Sequence, residues 1–117
     1  MKSTTEKGKQ SEHEAVEFLR TNGYRIIETN WRYGHEEIDI IALKEQEIIF
    51  VEVKSRKDEQ LGMPEEAVTL KKQKHLINAA DAYIRENDIK LDARFDVISV
   101  IDNNVIRHIP YAFYPSF

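Results

Sequence analysis

The segment from Glu47 to Lys54 constrains the fold most strongly, because its apolar residues would cover both faces of a strand. Successive side chains of a strand point to opposite faces, so residues of both parities must be apolar to achieve this. They are Ile48, Ile49, Phe50, Val51 and Val53. Such a pattern is typical of the centre of a sheet that is covered on both sides. The chain is therefore predicted to be an α/β protein built around this strand.

Other apolar periodicities predict two helices. The first helix is predicted over Ser11–Thr21, because its apolar residues follow helical spacing and Asn22-Gly23 provides a suitable end. A longer helix is predicted to begin at Pro64, which suits a first helical turn, and to end near Asn87.

Five segments have the composition and the turn boundaries of strands. They are Tyr24–Asn30, Glu37–Leu43, Glu47–Lys54, Arg94–Ile101 and Val105–Ile109. The first three are predicted to form an antiparallel meander, and the long helix to cross over to a fourth strand parallel to the third. The expected fold is a mixed five-stranded sheet flanked by helices. The aromatic tail, Pro110–Phe117, is expected to pack either on the core or on a partner.

Length and composition define the class of protein. The chain has 117 residues, enough for one core, so a single domain over residues 1–117 is expected. It contains no cysteine, which excludes thiolate metal sites and fits a reducing compartment. It has no apolar run long enough to span a membrane and no apolar segment at its start. These features predict a cytoplasmic protein without membrane contact.

The net charge of −4 argues against a protein that coats nucleic acid, since such proteins are usually basic. A metal-dependent nuclease is a partial exception, because bound cations reverse the field around its acidic residues. Basic residues do cluster in two places, at Lys54, Arg56 and Lys57 and at Lys71, Lys72 and Lys74. The charge balance alone therefore predicts no function.

Two acidic residues and a lysine would meet on neighbouring strands. Glu52 and Lys54 are two residues apart and project from the same face, while Asp39 lies on the adjacent strand about 4.8 Å away. Two nearby buried carboxylates repel each other, and a divalent cation resolves this while also binding a phosphate oxygen. The pattern predicts metal-dependent hydrolysis of a phosphodiester, with Lys54 orienting the water or stabilising the developing charge. An exposed ion pair between Glu52 and Lys54 is the alternative.

Two helical residues have similarly open interpretations. Glu12 shares the apolar stripe of the first helix, so its carboxylate either stabilises the helix N-terminus or reaches towards the metal. Lys72 is in line with Val68 and Leu76 on the long helix, so its ammonium either extends to solvent or contacts a phosphate.

An aromatic and basic loop is predicted at Trp31, Arg32 and Tyr33. Its rings would either stack on a base or close the end of the core. The four histidines have no zinc-like spacing, and the four glycines form no phosphate-binding loop. Nucleotide binding of the P-loop or Rossmann type is therefore not expected.

Three segments resemble the YraN-type family of bacterial proteins, namely Glu37–Ala42, Phe50–Arg56 and Arg94–Val97. The likeness covers nearly the whole chain, and the joint occurrence of these segments is more specific than any one of them. The family looks like a member of the PD-(D/E)xK nucleases and is similar to archaeal Holliday junction resolvases. The resemblance implies a restriction-endonuclease-like αβββαβ core, Mg²⁺ or Mn²⁺ as cofactor, branched or damaged DNA as substrate, and a homodimer.

The same resemblance implies roles for individual residues. Asp39 and Glu52 would bind the metal together with the carbonyl group of Val53, and Lys54 would be the catalytic lysine. Glu12 would belong to the site, as the helical acid does in the resolvases. Contacts to nucleic acid are expected from four further residues, Arg56, Lys72, Trp31 and Arg32.

Three functions remain open at this point. The first is a metal-dependent endonuclease acting on DNA. The second is a nucleic-acid-binding module of the same fold with weak or no catalysis, motivated by the acidic composition and by Glu36, where the family usually has glycine. The third is an interaction protein that docks a partner through its aromatic tail.

Overall fold

A computed structural model describes residues 6–56, 68–102 and 104–115. The elements in chain order are α1 (Glu6–Thr21), β1 (Arg25–Tyr33), β2 (Glu36–Lys44), β3 (Glu47–Arg56), α2 (Leu70–Glu86), β4 (Asp92–Ile101) and β5 (Asn104–Phe113). The predicted α/β class, with its αβββαβ core and five strands, is confirmed. Within these residues, neither helix combines the length and the apolar composition needed to cross a bilayer.

The five strands form one sheet in the order β1-β2-β3-β4-β5. Strands β1, β2 and β3 pair antiparallel, as do β4 and β5, whereas β3 and β4 pair parallel. The predicted meander and the predicted parallel fourth strand are therefore both present. The parallel pairing extends from Glu47 opposite Asp92 to Arg56 opposite Ile101, so β3 is hydrogen-bonded on both edges.

Two apolar clusters cover the two faces of the central strand. Ile48 and Phe50 of β3 belong to the cluster under α2, whereas Ile49 and Val51 belong to the cluster under α1. All four side chains are buried, and burying a side chain of this size contributes about 1.5–3 kcal/mol relative to leaving it exposed. The prediction that β3 is central and covered on both sides is thus confirmed.

The two helices begin at different residues from those predicted. α1 starts at Glu6, five residues before Ser11. α2 starts at Leu70, where the side chain of Thr69 accepts a hydrogen bond of 3.1 Å from the backbone N–H of Lys72. The predicted start at Pro64 was wrong for this helix, because Thr69 supplies the N-cap; Pro64 itself lies outside the described residues. The predicted end is confirmed, with Asn87 as C-cap.

Two segments predicted as loop or tail are strands. β1 continues through Trp31 to Tyr33, which pairs with Glu36, so the predicted loop at Trp31 was wrong. β5 continues to Phe113, whose ring stacks on Phe95 at a centroid distance of 5.1 Å. Of the two expectations for the tail, packing on the core holds as far as Phe113, because an aromatic ring there fills the cluster under α2.

Candidate functional site

The regular alternation of β2 is interrupted at Asp39. Ile38 and Ile40 are two residues apart and would share a face in a regular strand, yet Ile38 belongs to the cluster under α2 and Ile40 to the cluster under α1. The neighbouring strand is irregular at the same level, where Asn30 has a φ of 51°. The pairing of β2 with β3 ends one residue away, at Ile40 opposite Val51. The two strands therefore separate where Asp39 is placed.

The separated strands are bridged by the Asp39 side chain. Its Oδ2 atom accepts a hydrogen bond of 2.8 Å from the backbone N–H of Val53, and the side chain is 0% exposed. A strand N–H normally donates to a carbonyl oxygen of the neighbouring strand, so the carboxylate takes the place of a backbone acceptor. The peptide concerned is the one that follows Glu52. Asp39 is thereby held beside the backbone of the predicted Glu52–Lys54 motif.

Three carboxylates come together on the Asp39 side of this opening. One oxygen each of Glu12, Glu37 and Asp39 lie within 4.8 Å of one another. Asn30 Nδ2 donates to Glu12 Oε2 at 2.9 Å, and Arg32 Nε lies 3.5 Å from Glu37 Oε1. Carboxylates at this spacing repel one another unless cations or hydrogen-bond donors compensate their charge. The group is therefore a concentrated, partly compensated negative charge.

The helix α1 is positioned so that Glu12 reaches this group. Ser11, which is buried, donates a hydrogen bond of 2.9 Å from its Oγ to Ser55 Oγ near the end of β3. The helix starts at Glu6, so Glu12 lies beyond the first turn, where a carboxylate gains little from the helix dipole. Of the two interpretations of Glu12, the geometry favours a role in the acidic group over stabilisation of the helix N-terminus.

Glu52 and two lysines form the other half of the site. Glu52 is 2% exposed, and its Oε2 atom lies 3.7 Å from Lys54 Nζ and 3.4 Å from Lys72 Nζ. Lys72 thus reaches across from α2 to the strand, and its ammonium group contacts a carboxylate. Glu52 is not part of the three-carboxylate group that the described residues form. The predicted convergence of Asp39 and Glu52 on a single ion is therefore not seen among the described residues: the two carboxylates belong to separate charged groups, and the peptide between Glu52 and Val53 links them.

Glu37 is the residue of this site that sequence reasoning missed. It precedes Asp39 by two residues on β2, so simple strand alternation already places both side chains on one side. That signal was available in the sequence. Its place at the start of the predicted strand, where a glutamate is ordinarily exposed to solvent, obscured this signal.

Three other residues that were predicted to contact nucleic acid differ in how far they are exposed. Trp31 is half-buried, with its ring edge-to-face against Tyr83 at 5.1 Å, so it closes the core as the second interpretation proposed. Arg32 is exposed beside Glu37. Arg56 ends β3, and its side chain is outside the described part of the structure.

A second polar network, which the sequence did not predict, lies where β3 and β4 begin. Arg94 donates to both carboxylate oxygens of Asp96, at 2.9 and 2.8 Å, and its guanidinium also contacts Glu47 and the hydroxyl of Tyr24. His108 Nε2 lies 2.7 Å from Asp96 Oδ2. Burial alone would raise the pKa of Asp96, but the hydrogen bonds from His108 and Arg94 outweigh it and lower the pKa. This network fastens β5 to the rest of the sheet.

The donor atoms of the site fit a hard divalent cation. Carboxylate oxygens from α1 and β2 are the ligand type that Mg²⁺ and Mn²⁺ prefer, and three of them lie close enough to share one ion. A cation placed there would also relieve the repulsion among Glu12, Glu37 and Asp39. The nitrogen and sulfur donors typical of zinc sites are absent from this group.

The fold and the site together define a class of protein: a mixed α/β domain in which one carboxylate of an acidic group bridges two separating strands, the second of which carries a glutamate paired with two lysines. Comparison with known sequences places the chain within one family. The family model described as "Uncharacterised protein family UPF0102" matches residues 11–100, and the chain belongs to that family. This confirms the resemblance to the YraN-type proteins.

Three relatives match over more than nine tenths of their length. The chain is 48% identical over 118 residues to a UPF0102 protein of Bacteroides thetaiotaomicron, with 98% of each chain covered. It is 46% identical over 110 residues to a UPF0102 protein of Parabacteroides distasonis, covering 92% of this chain and 91% of the relative. A UPF0102 protein of Persephonella marina is 46% identical over 108 residues, with 92% of each chain covered.

Proposed function

We propose that this protein is an endonuclease that requires a divalent metal and hydrolyses the phosphodiester bonds of DNA. The observation that carries the proposal is the hydrogen bond from Val53 N–H to Asp39 Oδ2. It holds the acidic group, through its member Asp39, against the backbone of the strand that carries Glu52 and Lys54. Phosphodiester hydrolysis needs both kinds of charge next to each other.

The acidic residues account for binding of the cation. Asp39, Glu37 and Glu12 would hold Mg²⁺ or Mn²⁺, with Glu52 and the Val53 carbonyl as the further ligands that the resemblance implies. When bound, the cation supplies a Lewis acid for the phosphate and lowers the pKa of an attacking water. Without a cation, the carboxylates would repel the phosphate, so metal dependence follows from the charge of the site itself.

The two lysines of the site supply the positive charge that stabilises the attacked phosphate. Phosphodiester hydrolysis adds negative charge to the phosphate oxygens as the water attacks, and positive groups in place before the reaction stabilise that charge. Lys54 and Lys72 both lie within 4 Å of Glu52 and are only partly exposed. Lys54 would orient the water or stabilise the attacked phosphate, and Lys72 would neutralise the phosphate from the opposite element.

The proposal is tested with purified protein, Mg²⁺ or Mn²⁺, and branched, single-stranded and duplex DNA. We expect cleavage that needs the metal, stops on addition of a chelator and falls at least about 100-fold in Glu52→Gln. The matched control is Glu45→Gln, which changes an exposed glutamate in the β2–β3 turn and should cleave like the original chain. Absence of cleavage under every condition, or equal cleavage by Glu52→Gln, would contradict the proposal.

A specific observation also favours the second function, a nucleic-acid-binding module without efficient catalysis. The Oε2 atom of Glu52 is paired with two ammonium groups, at 3.4 and 3.7 Å, which offset part of its negative charge without a metal. Glu36 adds a further carboxylate near the start of β2, where its Oε1 atom accepts from Asn78 Nδ2 at 3.3 Å. This function predicts salt-sensitive DNA binding that persists in a chelator and in Glu52→Gln, without cleavage.

A further inference from the structure

The ring of Tyr33 continues an aromatic stack that begins inside the core. Trp31 packs edge-to-face on Tyr83, and the ring of Tyr33 lies parallel to Trp31, with an interplanar angle of 3° and a centroid distance of 6.3 Å. Trp31 is half-buried, whereas Tyr33 is 41% exposed. The stack therefore presents a supported aromatic surface at the edge of the sheet, and the ring available for further stacking is Tyr33 and not Trp31.

A pocket opens beside this ring. It has a volume of about 290 Å³ and is lined by Tyr33 of β1 and by Ala82, Arg85 and Glu86 near the end of α2. The guanidinium of Arg85 is paired with Asp81 at 3.0 Å, with both side chains largely exposed, and exposed pairs of this kind are weak. An aromatic ring next to an arginine and a small side chain can accept a planar base by stacking, whichever base it is.

One side of α2 connects this pocket with the proposed active site. Lys71, His75, Asn78 and Ala82 recur at intervals of four and three residues, so they lie along one side of the helix. Ala82 lines the pocket, and Asn78 contacts Glu36, the strand partner of Tyr33. Lys71 and His75 are exposed at the other end of this row, next to Lys72, which contacts Glu52. Positive and hydrogen-bonding side chains thus lead from Glu52 towards Tyr33.

The proposed active site and the ring of Tyr33 are separated by the length of a few nucleotides. Glu36 lies three residues before Asp39, roughly 10 Å along β2. Lys72 and Ala82 are ten residues apart, roughly 15 Å along α2. At about 3.4 Å per nucleotide in a stacked strand, this distance corresponds to about three or four nucleotides. A single DNA strand could therefore place a phosphate at the active site and a base on Tyr33.

We propose that Tyr33 is a stacking platform for an unpaired DNA base, and that the substrates of this protein are DNAs with unpaired nucleotides close to the cleaved phosphate. The inference rests on the proposed function and deepens it by naming the substrate class. In a continuous duplex the base faces are covered by their neighbours, so only a single strand, a fork or a flap offers a face to Tyr33. The lysines and the histidine of α2 contribute equally to duplex and single strand, whereas Tyr33 distinguishes them.

The test is binding measured by fluorescence anisotropy in the Glu52→Gln background with Mg²⁺, so that no substrate is consumed. The probes are an oligothymidylate, a forked DNA and a duplex whose two ends are covered by non-nucleotide linkers, because a blunt end would itself offer a base face. Tyr33→Ala should weaken binding of the first two about 5- to 150-fold, the range that loss of one base stack produces, and leave the duplex unchanged. Tyr33→Phe keeps the ring and should bind like the background, as should Tyr114→Ala, which removes an exposed ring elsewhere.

A second readout comes from Trp31, because it is the only tryptophan of the chain. A base stacked on Tyr33 extends the stack that contains Trp31, so oligothymidylate should change the tryptophan fluorescence, and Tyr33→Leu, which keeps Trp31 covered, should abolish the change. If Tyr33→Ala does not fold, Tyr33→Leu serves instead, because it covers Trp31 without offering an aromatic face.

The outcomes separate this inference from the proposed function. If DNA is cleaved and Tyr33→Ala binds all three probes like the background, the stacking platform is refuted and the endonuclease remains. Equal losses on the duplex and on the single strand also refute it, because stacking would then not be the cause. If the original chain neither binds nor cleaves any of these DNAs at low salt, both proposals fall together.

Discussion

Asp39 and Val53 are joined across two strands that no longer pair, by a hydrogen bond of 2.8 Å from the backbone N–H of Val53 to the Asp39 carboxylate. The contact satisfies a backbone donor that would otherwise lose its partner where the strands separate, and leaving a buried donor unpaired costs about 1–3 kcal/mol. One side chain therefore completes the sheet and supplies a negative charge to the proposed active site. These two roles can be separated by mutation.

Asp39→Asn should remove the negative charge of this side chain and keep its hydrogen bond to the backbone. The amide oxygen can still accept from Val53 N–H, so we expect the free energy of unfolding to change by no more than about 1 kcal/mol. The loss of a negative ligand should reduce metal-dependent DNA cleavage at least about 100-fold. Urea unfolding and a cleavage assay on the same preparation measure the two effects. Asp39→Leu, which cannot accept the hydrogen bond, should lose stability as well; equal stability of both variants would contradict the structural role.

Glu37→Gln should weaken binding of the divalent cation. Loss of a carboxylate ligand should lower the affinity for Mn²⁺ about tenfold. At a Mn²⁺ concentration of about 100 times the original Kd, the metal adds about 2.7 kcal/mol to the free energy of unfolding of the original chain. It should add only about 1.4 kcal/mol to that of the variant. For a chain of this size, the Mn²⁺-induced rise in Tm should then be smaller by about 5 °C. Differential scanning calorimetry with and without Mn²⁺ measures the shift. Glu17→Gln, an exposed change on α1, should show the full rise. If the rise were the same in Glu37→Gln, Glu37 would not be a ligand.

Asp96→Asn should alter the dependence of stability on pH. The pKa of Asp96 is lowered below its ordinary value of 3.8, so the folded protein binds this proton less readily than the unfolded chain. The ionised Asp96 side chain thus contributes fully to the free energy of unfolding above about pH 4. This contribution is lost as the pH falls through the lower pKa that Asp96 has in the folded protein. At neutral pH the variant should be less stable by about 3 kcal/mol, because a buried ionic partner of Arg94 is removed.

The measurement is urea unfolding of both proteins from pH 7 to pH 2. The difference in unfolding free energy should be constant at neutral pH and should shrink in the acid range below pH 4. Asp92→Asn, an exposed change at the start of β4, should follow the original chain throughout. A difference that stayed constant down to pH 2 would mean that the charge of Asp96 does not stabilise the fold.

Phe113→Ala should destabilise the protein strongly, because β5 carries this ring into the core. Phe113 is 9% exposed and stacks on Phe95, and removal of a buried phenylalanine costs about 3–5 kcal/mol. Tyr114→Ala removes a ring that is 64% exposed and should change stability by no more than about 0.5 kcal/mol. Thermal and urea unfolding of the two variants provide the comparison. Similar, small effects in both would show that the tail does not contribute to the core.

The central part of the fold could be predicted from local patterns. The apolar residues on both faces of Glu47–Lys54 predicted a covered central strand, and the long helix that follows predicted the parallel pairing with β4. Both depend on periodicities that a strand or a helix imposes on its own sequence. Element ends were predicted less well, as for the start of α2, because both Pro64 and Thr69 suit a helix start and the hydrogen bond that makes Thr69 the N-cap is seen only in the structure.

The site was predicted in its residues and only partly in its geometry. Spacing placed Asp39, Glu52 and Lys54 on neighbouring strands, but it assumed a regular pairing that stops at Ile40. Glu37 joined the acidic group, and Lys72 contacted Glu52 from another element. No pattern within a single strand reports where two strands separate, because that depends on what each strand packs against.

The amino-acid sequence alone determined the order of helices and strands, the central position of β3 and the acid and lysine residues that β2 and β3 present. These follow from alternation and helical spacing, which are properties of short segments. Only the tertiary structure decided that Asp39 turns to the backbone of Val53, that Glu12 meets Glu37 and that Tyr33 rather than Trp31 is accessible. Those outcomes depend on the packing of α1 and α2 against opposite faces, which involves residues far apart in the chain.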